Sequence, residues 1–414
     1  MVKRMSLRRG VFTGVSSNVL VLGLVSLLND MSSEMIYPIL PLFLAGLGAT
    51  GTIIGLIEGA SETTASLLKV VSGRMSDRCG KRKPFLNVGY GLSMITKPIL
   101  FFATSYWHVL GIRITERVGK GLRNAPRDAL IADSTEKDKM GKAFGLHKSM
   151  DMTGAVIGPL LVLPVLLLAS TVTEGTYRLV FLLSTIPAMI SILILVLFVK
   201  DTDRCHAKPT GSMFKDSKRL GRDFWCLTAV VLVFFIGQIS YAFFVLRSDG
   251  LGMSTITTIL LYVLSNIVFV IVSIPSGALS DRFGRRPVLA FSFIMFALTC
   301  LVMALADDLL FLALGFILLG VFEGSSEGVF KASVVDMVPD DLRGTALGVY
   351  HTAVGLVMLP GSVIAGLLWD NVGIWSTFAY GIVTSMLALS LMLFLTRKKR
   401  VTTPSSIFDG PSHK

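Results

Sequence analysis

Residues 73–82 read Gly73-Arg74-Met75-Ser76-Asp77-Arg78-Cys79-Gly80-Lys81-Arg82, and residues 277–286 read Gly277-Ala278-Leu279-Ser280-Asp281-Arg282-Phe283-Gly284-Arg285-Arg286. Glycine, serine, aspartate, arginine, glycine and a basic pair recur in the same order, 204 residues apart. An alignment at 203 residues puts Asp133 on Asp336, Gly141 on Gly344, Ala143 on Ala346, Gly145 on Gly348 and Gly158 on Gly361. A polar motif repeated once, half a chain apart, predicts two like halves. Parallel halves related by an axis along the membrane normal are one plan of membrane transporters.

The composition around these loops is that of a membrane protein. Of 414 residues, 52% are hydrophobic and 16% charged, and the mean hydropathy is +0.71; soluble chains carry about 25% charged residues. An ordinary cytosolic enzyme is excluded. A membrane crossing takes about 20 apolar residues, so the chain supplies about ten to twelve spans. Apolar runs bounded by charges or turn residues predict helices over 16–46, 50–72, 86–104, 108–130, 142–168, 178–199, 223–246, 253–276, 287–305, 309–335, 344–369 and 375–396. The expected fold class is an all-α integral membrane protein: twelve transmembrane helices in two six-helix halves, 1–199 and 223–396. A polar linker at 200–222 joins them, and a tail follows at 397–414.

The net charge is +12. In a soluble domain this would point to nucleic acid; here it follows the alternation of the loops. Lys3, Arg4, Arg8 and Arg9, the basic run from Arg74 to Lys83, Lys137, Lys139 and Lys142, the linker bases, Arg282, Arg285, Arg286 and Arg343, and the bases from Arg397 onward fall on one side, against Arg178 and Arg247 on the other. The positive-inside rule reads that side as cytoplasmic, with both termini inside and an even number of spans in the plasma (inner) membrane. No nucleic-acid partner is expected. The first span follows a basic tail without a small-residue cleavage site and is read as a retained helix. Cys79, Cys205, Cys226 and Cys300 lie far apart, so neither a disulfide framework nor a zinc module is suggested.

The repeated loop in both halves of a twelve-span chain closely resembles the cytoplasmic signature of the major facilitator superfamily, and the resemblance covers essentially the whole chain. Gly145, Gly154, Gly158 and Pro159 in the fifth span are similar to the antiporter motif of its drug/proton exchangers, with Leu160 to Leu163 where that motif ends in a glycine pair. In the fourth span, Arg117-Val118-Gly119-Lys120-Gly121 is similar to the arginine motif linked with proton coupling, with Lys120 in place of glutamine. The resemblance implies that the loop aspartates close the inner gate: Asp77 facing the start of span eleven, Asp281 the start of span five. A carboxylate at a helix N-terminus meets unpaired N–H groups and the positive dipole end, worth about 0.3–1 kcal/mol when exposed. Gly73, Gly80, Gly277 and Gly284 would give tight turns and close approach; Arg78, Arg82, Arg282 and Arg286 complete the gating loops.

Charges inside the spans are numerous: Asp30 and Glu34, Glu58, Glu62 and Lys69, Lys97, the seven from Arg113 to Asp128, Lys148 and Asp151, and Glu323, Glu327 and Lys331. Each costs about 2.5–3.5 kcal/mol at the centre of a span, so each needs a partner or a cavity. Arg113, Arg117, Lys120, Asn124 and Arg127 share one helical face. At about 1.5 Å per residue, Asp30 stands level with Arg113 and Asp151 level with Lys120. Pairs of Asp30 with Arg113 or Arg117, and of Asp151 with Lys120 or Arg123, are therefore expected. A carboxylate whose cavity opens and closes can exchange its proton near neutral pH, which makes Asp30, Glu34 and Asp151 the candidate proton carriers and Arg117 their modulator. Glu323 and Glu327 are read as gate or entrance residues.

The resemblance places the cavity among spans one, four, seven and ten. Asn29, Tyr37, Arg113, Lys120, Lys148, Gln238 and Tyr241 are the expected solute contacts, with Phe243 and Phe244 nearby. Mixed aromatic and polar walls suit a small amphipathic organic compound. The expected function is proton-coupled export of such compounds by alternating access. Proton-coupled uptake of an organic anion, motivated by the basic face of span four, is the alternative. A metal permease resting on His147, Met150 and Met152 ranks third. Pro38 and Pro41 mark expected hinges. The sequence carries no Gly-x-x-x-x-Gly-Lys-Ser/Thr loop, so an ion gradient is the expected energy source. The expected partners are a small-molecule substrate, protons and the lipid bilayer. A monomer without cofactor, metal or enzymatic activity is expected.

Overall fold

The computed structural model describes residues 16–136, 139–169, 171–201, 217, 219–339 and 342–396. The basic N-terminal tail, Lys137, most of the linker and the tail at 397–414 lie outside the described residues. All regular structure among the described residues is helical: α1 Ser17–Ile36, α2 Leu40–Gly46, α3 Gly51–Cys79, α4 Lys83–Phe101, α5 Tyr106–Asp133, α6 Met140–Leu160, α7 Leu163–Leu168, α8 Glu174–Phe198, α9 Arg222–Ile236, α10 Tyr241–Gly250, α11 Thr255–Phe283, α12 Arg285–Leu305, α13 Leu309–Asp336, α14 Arg343–Asn371 and α15 Ile374–Thr396. Every predicted stretch holds helix. Among the described residues nine stretches are long and apolar enough to cross a membrane; α3, α4 and α5 fall outside that set.

Local chemistry sets the boundaries. Thr50, Ser105, Ser254 and Asp308 cap helix N-termini, each accepting a backbone N–H two or three residues on. Proline explains the interruptions: the helix pauses between Ile36 and Leu40, where Pro38 and Pro41 remove two donors, and again at Leu161–Val162 beside Pro159. A further break, Gly237–Ser240, separates α9 from α10.

The repeated motif is more helical than the loop reading expected. Gly73 to Cys79 form the last turns of α3, and Gly277 to Phe283 those of α11; the chain turns at Gly80 and Gly284, whose φ of 67° and 92° suit a residue without a Cβ. Gly73 allows close approach to Ala125 on α5, whereas Gly277 meets no neighbour. The buried Arg82 holds Asp77 at 2.5 Å, Ser76 at 2.7 Å and Asp133 at 3.8 Å. Arg285 holds Asp281 at 2.5 Å, Ser280 at 2.7 Å and Asp336 at 2.8 Å. Arg82 thus corresponds to Arg285, not to Arg286, which is exposed. The change from 204 to 203 in the repeat occurs at Lys81, one extra residue beside the glycine turn.

Helices α1–α8 pack chiefly on one another, as do α9–α15; α3 against α14, α6 against α11 and α2 against α10 join the two groups. The joint is tight on the side away from the basic loops. A Cβ on Gly55 or Gly59 would run into Ser362 and Leu359, and one on Gly366 would lie 2.6 Å from the Thr52 Cα. Asp370 at the end of α14 accepts hydrogen bonds from the Gly51 and Thr52 N–H, both at 2.8 Å, and from the Thr52 hydroxyl at 2.6 Å. One apolar core, holding Ile36, Phe43, Ile54 and Phe181, takes in Ala242, Ile259 and Val263 from the second group at this end. On the basic side Gly141, Gly145 and Gly344 meet nothing within 4 Å, and the groups approach through exposed side chains, Lys148 and Glu327 at 4.0 Å. Asp77 and Asp281 therefore do not face the starts of spans eleven and five here: each is held by its own turn's arginine.

Candidate functional site

A cavity of 530 Å³ lies between the groups, lined by α1, α3, α5 and α6 on one wall and α9, α11, α13 and α14 on the other. A smaller one of 130 Å³ adjoins it, sharing Tyr37, Glu62, Gln238 and Glu323. The wall of the first group is charged and that of the second largely aromatic. Sequence spacing accounts for the charged wall: spans two and four run the same way, and Glu58 and Glu62 are one turn apart on α3, as Arg113 and Arg117 are on α5.

The resulting ion-pair ladder differs from the expected one. Arg113 holds Glu116 at 2.6 Å and Glu58 at 3.4 Å, and Arg117 holds Glu62 at 3.0 Å. Asp30 is paired with neither arginine. The reason is adjacency: α5 packs along α3 and α4, and only slightly on α1, so equal depth does not bring Asp30 to Arg113. Asp30 instead stands beside Asp151 of α6, carboxyl next to carboxyl. Asp151 is not paired with Lys120 or Arg123. It accepts from Ser26 Oγ at 3.1 Å and lies 3.6 Å from Lys148 and 4.0 Å from Arg127. Arg123 turns away, donating to Ser93 Oγ and lying over the Tyr90 ring at 4.7 Å.

The glycines of span five explain how α1 and α6 bring two carboxyls together. A Cβ on Gly154 would strike Leu27 O, and one on Gly158 would strike Met31 O and stand 3.0 Å from Glu34 Cβ. Gly145, by contrast, meets no neighbour. Glu34, one turn beyond Asp30, accepts a hydrogen bond from Tyr262 Oη of the second group. Tyr37, Tyr241 and Tyr262 close the cavity above it, with ring centroids 5.4 Å apart for Tyr37–Tyr241 and 4.5 Å for Tyr241–Tyr262. Tyr37 and Tyr241 are equivalents at the 204-residue offset, stacked on each other across the repeat.

Other expected contacts are corrected. Asn29 is buried and does not line the cavity; Lys148 stands half exposed outside the wall. Phe243 is fully buried against Trp369, whereas Phe244, packed on Phe316 and Phe378, lines the smaller cavity as expected. Met150 packs on Gly23 while Met152 faces the cavity and His147 is buried, so the metal-ligand trio does not converge. Glu323, read as a gate residue, lies within both cavities, while Glu327 is held by Lys331 at 2.8 Å. Tyr262 is a site residue the sequence reading missed, and Glu323 is one it placed at the gate and not in the cavity. The repeat carried the signal: the 204-residue offset maps Glu58 to Tyr262, and the 203-residue offset maps Lys120 to Glu323.

Comparison with known proteins places these features. The Major Facilitator Superfamily profile matches residues 22–281 and 248–413. An uncharacterised MFS-type transporter of Methanocaldococcus jannaschii is 36% identical over 392 residues, 92% of this chain and 95% of the relative. The multidrug resistance protein MdtG of Serratia proteamaculans is 25% identical over 334 residues, 74% of this chain and 76% of its own length. Among solved structures, the nucleoside transporter NupG superposes with a TM-score of 0.77 at 12% identity, covering 92% of this chain and all of that one.

Proposed function

The chain belongs to the major facilitator superfamily of membrane transporters, and from that premise we propose that it is a proton-coupled exporter of small amphipathic organic compounds working by alternating access. Twelve spans in two six-helix halves, residues 1–199 and 223–396, enclose the cavity, and the basic-loop side faces the cytoplasm. The described conformation is then the inward-open one. The observation that carries the reading is the hydrogen bond from Tyr262 to Glu34, because it ties a carboxyl of one half to the other half beside the cavity. A proton arriving on Glu34 competes with that bond, so proton occupancy and the separation of the halves are linked. Asp30 and Asp151, side by side between α1 and α6, form the second candidate store; Arg117, fixed by Glu62, acts on Glu34, while Lys120 and Arg123 act on Asp30. The likeness to MdtG, a multidrug resistance protein, favours export.

The test is flux in liposomes reconstituted with the full chain, under an imposed pH gradient of either sign, with cationic dyes, antimicrobials and organic acids. Dye export driven by inward protons is expected, and in at least one of D30N, E34Q and D151N substrate-driven proton movement should fall about tenfold or more. Unchanged proton movement in all three would overturn the assignment of the carriers. Inward anion flux would favour the uptake reading, for which Lys120, lining the cavity without an ion-pair partner among the described residues, is the supporting observation.

A further inference from the structure

The charged groups lining the larger cavity can be accounted for one by one. Arg113, Glu116, Arg117 and Glu62 are in ion pairs, Glu327 and Lys331 hold each other, Arg123 is on Ser93 and Tyr90, Glu34 is on Tyr262, and Asp30 is on Asp151. Two ionisable side chains of this wall have no ion-pair or side-chain hydrogen-bond partner among the described residues: Lys120 on α5 and Glu323 on α13. One is a base and the other an acid, and they come from opposite groups of helices. They also occupy equivalent positions in the repeat, 203 residues apart. Equivalent positions in parallel halves lie at one depth on either side of the axis, so the pair faces across the cavity.

An unpaired charge in a membrane interior is expensive and is retained where something meets it. Close to Glu323, the Gln238 Oε1 and Tyr241 Oη are buried without a partner in the smaller cavity. A carboxylate and a carbonyl oxygen are both acceptors, and an ammonium with its three N–H donors serves both at once. Lys120 presents the reverse: a point cation with donors only. A solute carrying a single charge would satisfy one pole and leave the other bare. Tyr37, Tyr262, Phe322 and Phe330 line the same cavity, which suits an apolar body.

We propose that the solute is an aromatic zwitterion, its acid group on Lys120 and its amine on Glu323 and Gln238. This rests on the transport reading above and narrows it from amphipathic compounds in general to this one class. A molecule gripping one pole in each half draws the halves together, so binding itself favours closure of the open side.

The test uses the full chain in liposomes with three probes of one scaffold: the dipeptide Phe-Phe, its N-acetyl derivative, which keeps only the acid, and its C-terminal amide, which keeps only the amine. The wild type is expected to carry Phe-Phe about tenfold or more faster than either blocked form. In K120M the amide should be carried at least as well as Phe-Phe, in E323Q the N-acetyl compound should be, and K120R should restore much of the original preference. Equal flux of all three probes in the wild type, no flux of Phe-Phe, or an equal fall of all three in either variant overturns the proposal. A chain that moves cationic dyes on a pH gradient but shows no zwitterion preference loses this inference and keeps the transport reading; a chain that moves nothing loses both.

Discussion

Arg113 is 4% exposed and stands between two carboxylates, Glu58 and Glu116. Removing one member of a buried ion pair costs about 3–5 kcal/mol, chiefly because the remaining charge stays buried, whereas replacing a pair by apolar groups is often close to neutral. R113M should therefore lower the thermal unfolding midpoint markedly, and R113M/E58L should recover more than half of that loss. A double variant as unstable as the sum of the two single changes would show that no such coupling exists. The charges themselves were legible in the sequence, and so was their need for partners. Which partner each takes was not: depth along a helix can be counted from residue numbers, but the neighbour that a helix face meets depends on the packing of α5 along α3. Asp30 shows the limit, since its partner is another acid, a choice that charge complementarity would never select.

The ends of α3 and α14 carry a matched pair of devices. Asp77 closes the basic end of α3 and is occupied by Arg82, while Asp370 closes the far end of α14 and caps the first turn of α3. Asp370 thus does on one side of the membrane what the resemblance assigned to Asp77 on the other. Loss of such a cap costs about 0.5–2 kcal/mol, borne only by the conformation closed on that side. D370A should raise the population open on the far side several-fold, read as longer distances between spin labels at Thr50 and Asn371; an unchanged distance distribution would refute the latch. Helix positions, proline breaks and glycine turns could be read in advance because each is a local property. The one-residue slip at Lys81 could not, because a run of basic residues looks the same in either register until the arginine that turns inward is seen.

Glycines record which face of the whole assembly is shut. Those of α3 and α14 on the far side have no room for a Cβ, while Gly141, Gly145 and Gly344 on the basic side have open space. In an alternating-access cycle the second set should become crowded when the first is released. G366V is expected to keep the protein folded but hold the far side apart, so that a cysteine placed at Tyr37 reacts with a membrane-impermeant thiol reagent from that side. G145V should leave the conformation described here intact and hinder the opposite closure. Failure of G366V to change that labelling would refute the steric account. One further feature bears on how such a molecule comes to exist. Helices α3, α4 and α5 fall short of the apolar character of the other spans, and they carry Glu58, Glu62, Lys97, Arg113 and Arg117. At about 2.5–3.5 kcal/mol for each charge at mid-membrane, none of the three is suited to partitioning into lipid alone. They are expected to enter the bilayer together, with Glu58, Glu62 and Glu116 set against Arg113 and Arg117. The salt ladder that lines the finished cavity is first of all the condition on which its walls are admitted to the membrane.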